Sequence, residues 1–84
     1  MAKTRVVVAD RQAIVRAGVR TILERVSGNA VVAEATNYDA TILAVEEHAP
    51  DVLIFDLDLG DDTTRGLQAC ETITNRYPET RIMV

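Results

Sequence analysis

Two aspartates carry the chemistry that this chain offers. Each follows directly on a short run of β-branched and apolar residues: Asp10 after Arg5-Val6-Val7-Val8-Ala9, and Asp56 after Val52-Leu53-Ile54-Phe55. A run of that length without polar alternation reads as a strand buried on both faces, as in a parallel sheet. Each carboxylate then falls at the carboxyl end of its strand, the edge where open α/β sheets place ligands and chemistry. If the first and third strands are neighbours, Asp10 and Asp56 meet at that edge. Two like charges so close repel, and a divalent cation is the natural answer. A hard ion such as Mg²⁺ takes a few carboxylates together with water and phosphate oxygens. A carboxylate so placed can attack a phosphoryl group, the metal neutralising charge as the group transfers. Aspartates also end strands because they start turns and cap helices. Their occurrence at two equivalent strand ends favours the chemical reading.

The elements that must position this pair follow from periodicity. Between residues 12 and 26, Ile14, Gly18, Val19, Ile22, Leu23 and Val26 form one face of an amphipathic helix directed at a core. Ser27-Gly28-Asn29 stops it, with Gly28 able to take the left-handed cap conformation. Residues 30–35 (AVVAEA) form a second, weaker strand. Thr36-Asn37 offers an N-cap to a second helix, and Asp39, three residues after Thr36, resembles a capping box with a shorter acid. That helix presents Ala40, Leu43, Ala44 and Val45, and it ends before Pro50, which disfavours helix at Ala49. After the third strand comes a polar loop, residues 60–65 (GDDTTR). From Gly66 a third helix presents Leu67, Cys70, Ile73 and Tyr77, and Pro78 bars its continuation. Residues 81–84 (RIMV) open a fourth strand. The order β-α-β-α-β-α-β implies right-handed crossovers and a parallel sheet.

Composition narrows the function classes. The 84 residues suffice for one small domain, and a hydrophobic share of 48% is enough for a core. The net charge is −4 and no Lys/Arg cluster occurs, so the segment lacks the basic footprint needed to hold DNA itself. No apolar run approaches the roughly 20 residues of a membrane span, and no signal-peptide apolar region follows the N-terminus. The single cysteine, Cys70, cannot form an internal disulfide, and a reducing cytoplasm is the expected setting. On a helix face with Leu67 and Ile73, Cys70 reads as a small hydrophobe rather than a reactive thiol. His48 lies in the last turn of the second helix, where a cation suits the dipole, and it has no second ligand nearby. Glu46 and Glu47 read as a solvated face. So do Arg16 and Arg20, one helical turn apart, with a partner surface as the alternative.

The whole chain resembles the first two-thirds of a CheY-like response-regulator receiver domain. The matching segments are VVVAD (6–10), VRAGV (15–19), AEA (33–35), PDVLIFDLDL (50–59) and the closing GL…RYPETRIMV. VRAGV and AEA are similar to the receivers that precede a LuxR-type helix-turn-helix domain. The resemblance implies a flavodoxin-like α/β fold with strand order 2-1-3-4, here without the fifth strand and last two helices, so that residues 1–84 form a partial receiver domain. It implies a signalling role rather than an enzyme: Asp56 accepts a phosphoryl group from a histidine kinase, Asp10 binds Mg²⁺, and so do Asp56 and the backbone carbonyl of Asp58. DNA would be reached only through a downstream domain.

Two departures bear on that expectation. Arg11 stands where the pattern has a second acid, and a guanidinium cannot coordinate a cation. It either pairs with Asp56 or Asp10, which would weaken Mg²⁺, or it turns to solvent. Asp61 or Asp62 is a candidate replacement acid. The loop after Asp58 is also longer and more acidic than the pattern. The switch Ser/Thr and the phosphate-binding Lys of the pattern fall beyond Val84. The expectation is therefore a piece of a longer protein, with one sheet face uncovered and a tendency to self-associate. A second reading is a degenerate receiver used for dimerisation without phosphorylation. A third is a phosphatase built on Asp56-Leu57-Asp58, which resembles a DxD motif but lacks the DxDGT continuation.

Overall fold

The computed structural model describes residues 3–56 and 63–84, the side chain of Thr63 excepted. Seven elements follow in the expected alternation: β1 (Thr4–Ala9), α1 (Ala13–Glu24), β2 (Asn29–Ala35), α2 (Tyr38–His48), β3 (Val52–Phe55), α3 (Thr63–Arg76) and β4 (Arg81–Met83). The four strands form one sheet in the order β2-β1-β3-β4, and all three pairings are parallel. β1 is therefore an inner strand between β2 and β3. Its four apolar residues Val6, Val7, Val8 and Ala9 are all buried, as an uninterrupted apolar run in a parallel sheet requires.

The alternation of side chains along β1 divides the interior into two layers. Val7 and Ala9 face α2 and α3, in the larger layer with Leu53, Phe55, Val45 and Ile73. Val6 and Val8 face α1, in a smaller layer with Val31, Val19 and Leu23. The pairing of β1 with β2 slips by one residue between Val6 and Val7: Val31 lies opposite Val6, but Ala33 lies opposite Val7. This is a bulge.

Helix boundaries depart from the periodic reading in three places. α1 ends at Glu24, not at Val26, and its cap residue Arg25 is in the right-handed region (φ −66). Gly28 has no positive φ, so the left-handed glycine cap does not form. The side chain of Asn29 caps the helix instead, its Nδ2 donating to the Leu23 carbonyl at 3.1 Å. At α2 the cap is Asn37, whose side chain accepts from the Ala40 N–H at 2.7 Å, in place of a Thr36–Asp39 box. The left-handed residue is Ala49 (φ 45), in the one step between α2 and Pro50. α3 starts three residues early, so Thr63, Thr64 and Arg65 are helical rather than loop.

Burial also corrects the predicted faces. Leu43 and Leu67 are 62% and 60% exposed. Tyr38, Thr41, Ala44 and Val45 make the buried face of α2, and Ala69 and Ile73 are the buried apolar residues of α3. Cys70 and Tyr77 pack at the margin of the larger layer, as expected. Burial pushes the Cys70 thiol up, away from a reactive thiolate. On the α1 side, Val19 and Leu23 pack inward, but Ile14 and Ile22 are 80% and 65% exposed. Met83, which pairs with Ile54 on that same side, is also exposed.

Candidate phosphoacceptor site

The site is built by the pairing of β1 with β3. Ala9 lies opposite Phe55, so the next residues, Asp10 and Asp56, stand side by side at the carboxyl edge. Two backbone bonds fix their heights. The Asp56 N–H donates to the Ala9 carbonyl at 3.0 Å, and the Asp10 N–H donates to the Ala35 carbonyl at 3.0 Å. Both aspartates are half-buried. One carboxylate oxygen of Asp10 accepts from the Gln12 N–H at 2.8 Å, the turn-starting habit of aspartate that the sequence also allowed. That bond leaves the second oxygen and further lone pairs for a ligand. A cleft of about 240 Å³ opens beside the pair, lined by Asp10, Asp56 and apolar residues of β1, α1 and β3 together with Val84.

Arg11 follows Asp10 directly and is exposed. Asp58, Asp61 and Asp62 lie outside the described residues. Among the described residues no group of three or more His, Cys, Asp or Glu could hold a metal. The described donor set is thus two carboxylates on adjacent strands. All its donors are hard oxygens, and such a pair fits an ion that keeps several waters or phosphate oxygens, as Mg²⁺ does. A Cys- or His-seeking metal does not fit it.

The solvated reading of Arg16 and Arg20 is overturned. Both reach Glu34 of β2: Arg16 Nε donates to Oε1 at 3.0 Å, and Arg20 Nη2 donates to Oε2 at 2.8 Å. A charged residue alone in the apolar strand AVVAEA, facing two arginines at helical spacing, was the available signal. Glu46 and Glu47 are exposed, as expected. The carbonyl of His48 accepts from Arg5 Nη1. A hollow of about 310 Å³ lies at the amino edge of the sheet. Asp51 there accepts from the Arg5 N–H at 2.8 Å, a bond that ties β3 to β1, so its carboxylate reads as structural.

Comparison with known proteins decides the family. The profile of the response regulator receiver domain matches residues 6–84. The chain belongs to the response regulator receiver domain family. The oxygen regulatory protein NreC of Staphylococcus haemolyticus is 39% identical over 80 residues, which are 95% of this chain and 36% of that protein. The signal receiver domain of the response regulator NarL from Mycobacterium tuberculosis superposes with a TM-score of 0.85 at 31% identity, over 98% of this chain and 64% of that one. RcsB from Salmonella enterica serovar Typhimurium, bound to promoter DNA in the presence of phosphomimetic BeF3−, superposes with a TM-score of 0.83 at 30% identity, over 95% of this chain and 40% of that one. RcsB is also known as two dimers bound to two parallel DNAs. The receiver chain spans little more than a third of the curated relatives it matches. Receiver domains of this kind are generally signalling modules. The flavodoxin-like order 2-1-3-4 is the one found here.

Proposed function

We propose that Asp56 is the phosphoacceptor of a two-component system, with Mg²⁺ held by Asp10, Asp56 and the backbone carbonyl of Asp58. The observation that carries this reading is the adjacency of β1 and β3, which sets two carboxylates at one sheet edge. An Asp56 oxygen attacks phosphorus of a phosphohistidine. The O–P bond forms as the N–P bond breaks, and the imidazole leaves on the kinase. The cation, when bound, neutralises charge on the transferring group. Asp10 would hold such a cation beside the nucleophile.

The output is a DNA-binding domain in a longer chain, as the likeness to promoter-bound RcsB supports. The setting is cytoplasmic; among the described residues no helix is long and apolar enough to cross a membrane. Incubation of the complete protein with Mg²⁺ and a small phosphodonor, followed by mass spectrometry, tests the assignment. Phosphate is expected on Asp56, and labelling is expected to fall to background in Asp56→Asn. A folded wild type that takes no phosphate favours the second reading, an interaction module disarmed by Arg11.

Self-association belongs to the same proposal. Ile14 and Ile22 of α1, Val26 just after it and Met83 of β4 are exposed, and burying such residues between copies is favourable. In size-exclusion chromatography the 84-residue chain is expected to elute ahead of a monomer. A clean monomer peak across micromolar concentrations would remove this part.

A further inference from the structure

The two arginines of α1 meet a carboxylate that simple alternation would have sent elsewhere. Along β2, Val31 packs on the α1 side, while Val32 and Ala33 both pack on the side of α2 and α3. The bulge causes this repetition. Without it, period-two alternation would aim Glu34 into the apolar layer beneath α2 and α3. With it, Glu34 stands opposite Val8, whose side chain faces α1.

Arg16 has a second partner there. Its Nη1 donates to the backbone carbonyl of Asp10 at 2.7 Å while its Nε is held by Glu34. Its side chain is only 16% exposed. Glu34 therefore orients the guanidinium, and the guanidinium holds the Asp10 peptide. Of the other bonds of Asp10, its N–H donates across the sheet to the Ala35 carbonyl, and its carboxylate accepts from the Gln12 N–H. Arg16 ties the Asp10 turn to a side chain of α1, and its planar fork suits two acceptors at once.

We propose that Arg16, oriented by Glu34, is a positioning residue of the carboxyl-edge cation site, fixing the Asp10 peptide so that its carboxylate is presented in one orientation. This rests on the reading of Asp10 and Asp56 as that site. The sign of the effect separates positioning from mere proximity. A nearby guanidinium repels a divalent cation, so if Arg16 were only a neighbouring charge its removal would tighten Mg²⁺ binding. A positioning role predicts the opposite, a loss of about tenfold or more, the scale found for groups that support metal ligands. Glu34→Gln weakens binding in the same direction, because it frees the guanidinium. Arg16→Lys keeps the charge but not the fork, and stays weakened.

The experiment is a calorimetric Mg²⁺ titration of the complete regulator as wild type, Arg16→Ala, Arg16→Lys and Glu34→Gln, with urea unfolding of each in metal-free buffer. Weaker binding by folded Arg16→Ala and Glu34→Gln is the expected result. Unchanged or tighter binding by folded Arg16→Ala overturns the proposal and leaves the phosphoacceptor reading standing. Should Arg16→Ala not fold, Arg16→Lys decides: it keeps the charge, so weaker binding supports positioning and unchanged binding overturns it. If the wild type itself binds no Mg²⁺, both readings fall together.

Discussion

Replacing Arg11 by aspartate is expected to raise the affinity of the carboxyl edge for Mg²⁺ by about tenfold to a hundredfold. The change removes a permanent positive charge one residue from Asp10 and installs a hard oxygen ligand in its place. Both terms favour a divalent cation. Arg11 is exposed, so solvent and salt screen its field, which holds the gain well below that of a buried charge reversal. Arg11→Ala removes only the repulsion and should fall between the two. Calorimetric titration of the three proteins at one ionic strength measures the series. Equal affinities in wild type and Arg11→Asp would show that Arg11 does not weaken the site, and the degenerate-receiver reading would lose its only support. A gain in Mg²⁺ affinity matched by faster labelling of Asp56 would place the native chain among receivers restrained by their own sequence.

The largest effect on stability is expected at Phe55. Its side chain is 1% exposed in the larger layer and meets the Tyr38 ring at 6.1 Å and 54°. Truncation to alanine removes that burial and leaves a cavity between β3 and α2, at a cost of about 3–5 kcal/mol. A domain of this size holds roughly 4–13 kcal/mol in total, so Phe55→Ala is expected to lose at least about a quarter of its stability and up to all of it. Leu67→Ala is the control. Periodicity placed Leu67 in the core, yet it is 60% exposed, and its loss should shift stability by no more than about 0.5 kcal/mol. Urea unfolding followed by circular dichroism reads both. A Leu67→Ala midpoint as low as that of Phe55→Ala would mean that α3 packs by the face its sequence suggested. Because Phe55 precedes Asp56 directly, a folded but loosened variant should also label more slowly.

The elements and the carboxylate pair were legible because each rests on a strong local signal. VVVA and VLIF leave no polar residue to face water, and each is closed by an aspartate, so both strands and the two aspartates that stand side by side at their ends could be named from the chain alone. What escaped depends on events between segments. The extra residue in β2 has no local mark, since Val31, Val32 and Ala33 are all small and apolar, yet it decides which layer receives Glu34. For that reason Arg16 and Arg20 read as solvated. Leu43 and Leu67 were misplaced because helical periodicity gives the presence of an apolar stripe but not which edge of it meets the sheet. The α2 face was filled instead by Tyr38 and Thr41, the latter made tolerable by a bond from its hydroxyl to the Asn37 carbonyl at 2.7 Å. Gly28 was the obvious stop signal for α1, but an asparagine amide reached the frayed carbonyl first.

The place of β1 in the sheet has a consequence for the birth of the protein. The first of the four strands to be made, Thr4–Ala9, needs β2 on one side and β3 on the other. Synthesis at roughly 5–20 residues per second leaves it without its second neighbour for an interval on the order of seconds. Throughout that time a run of three valines offers an unpaired edge, the kind of surface that recruits chaperones or other nascent chains. The arrangement that brings two aspartates together at one edge therefore also delays the moment at which the chain is safe from its neighbours.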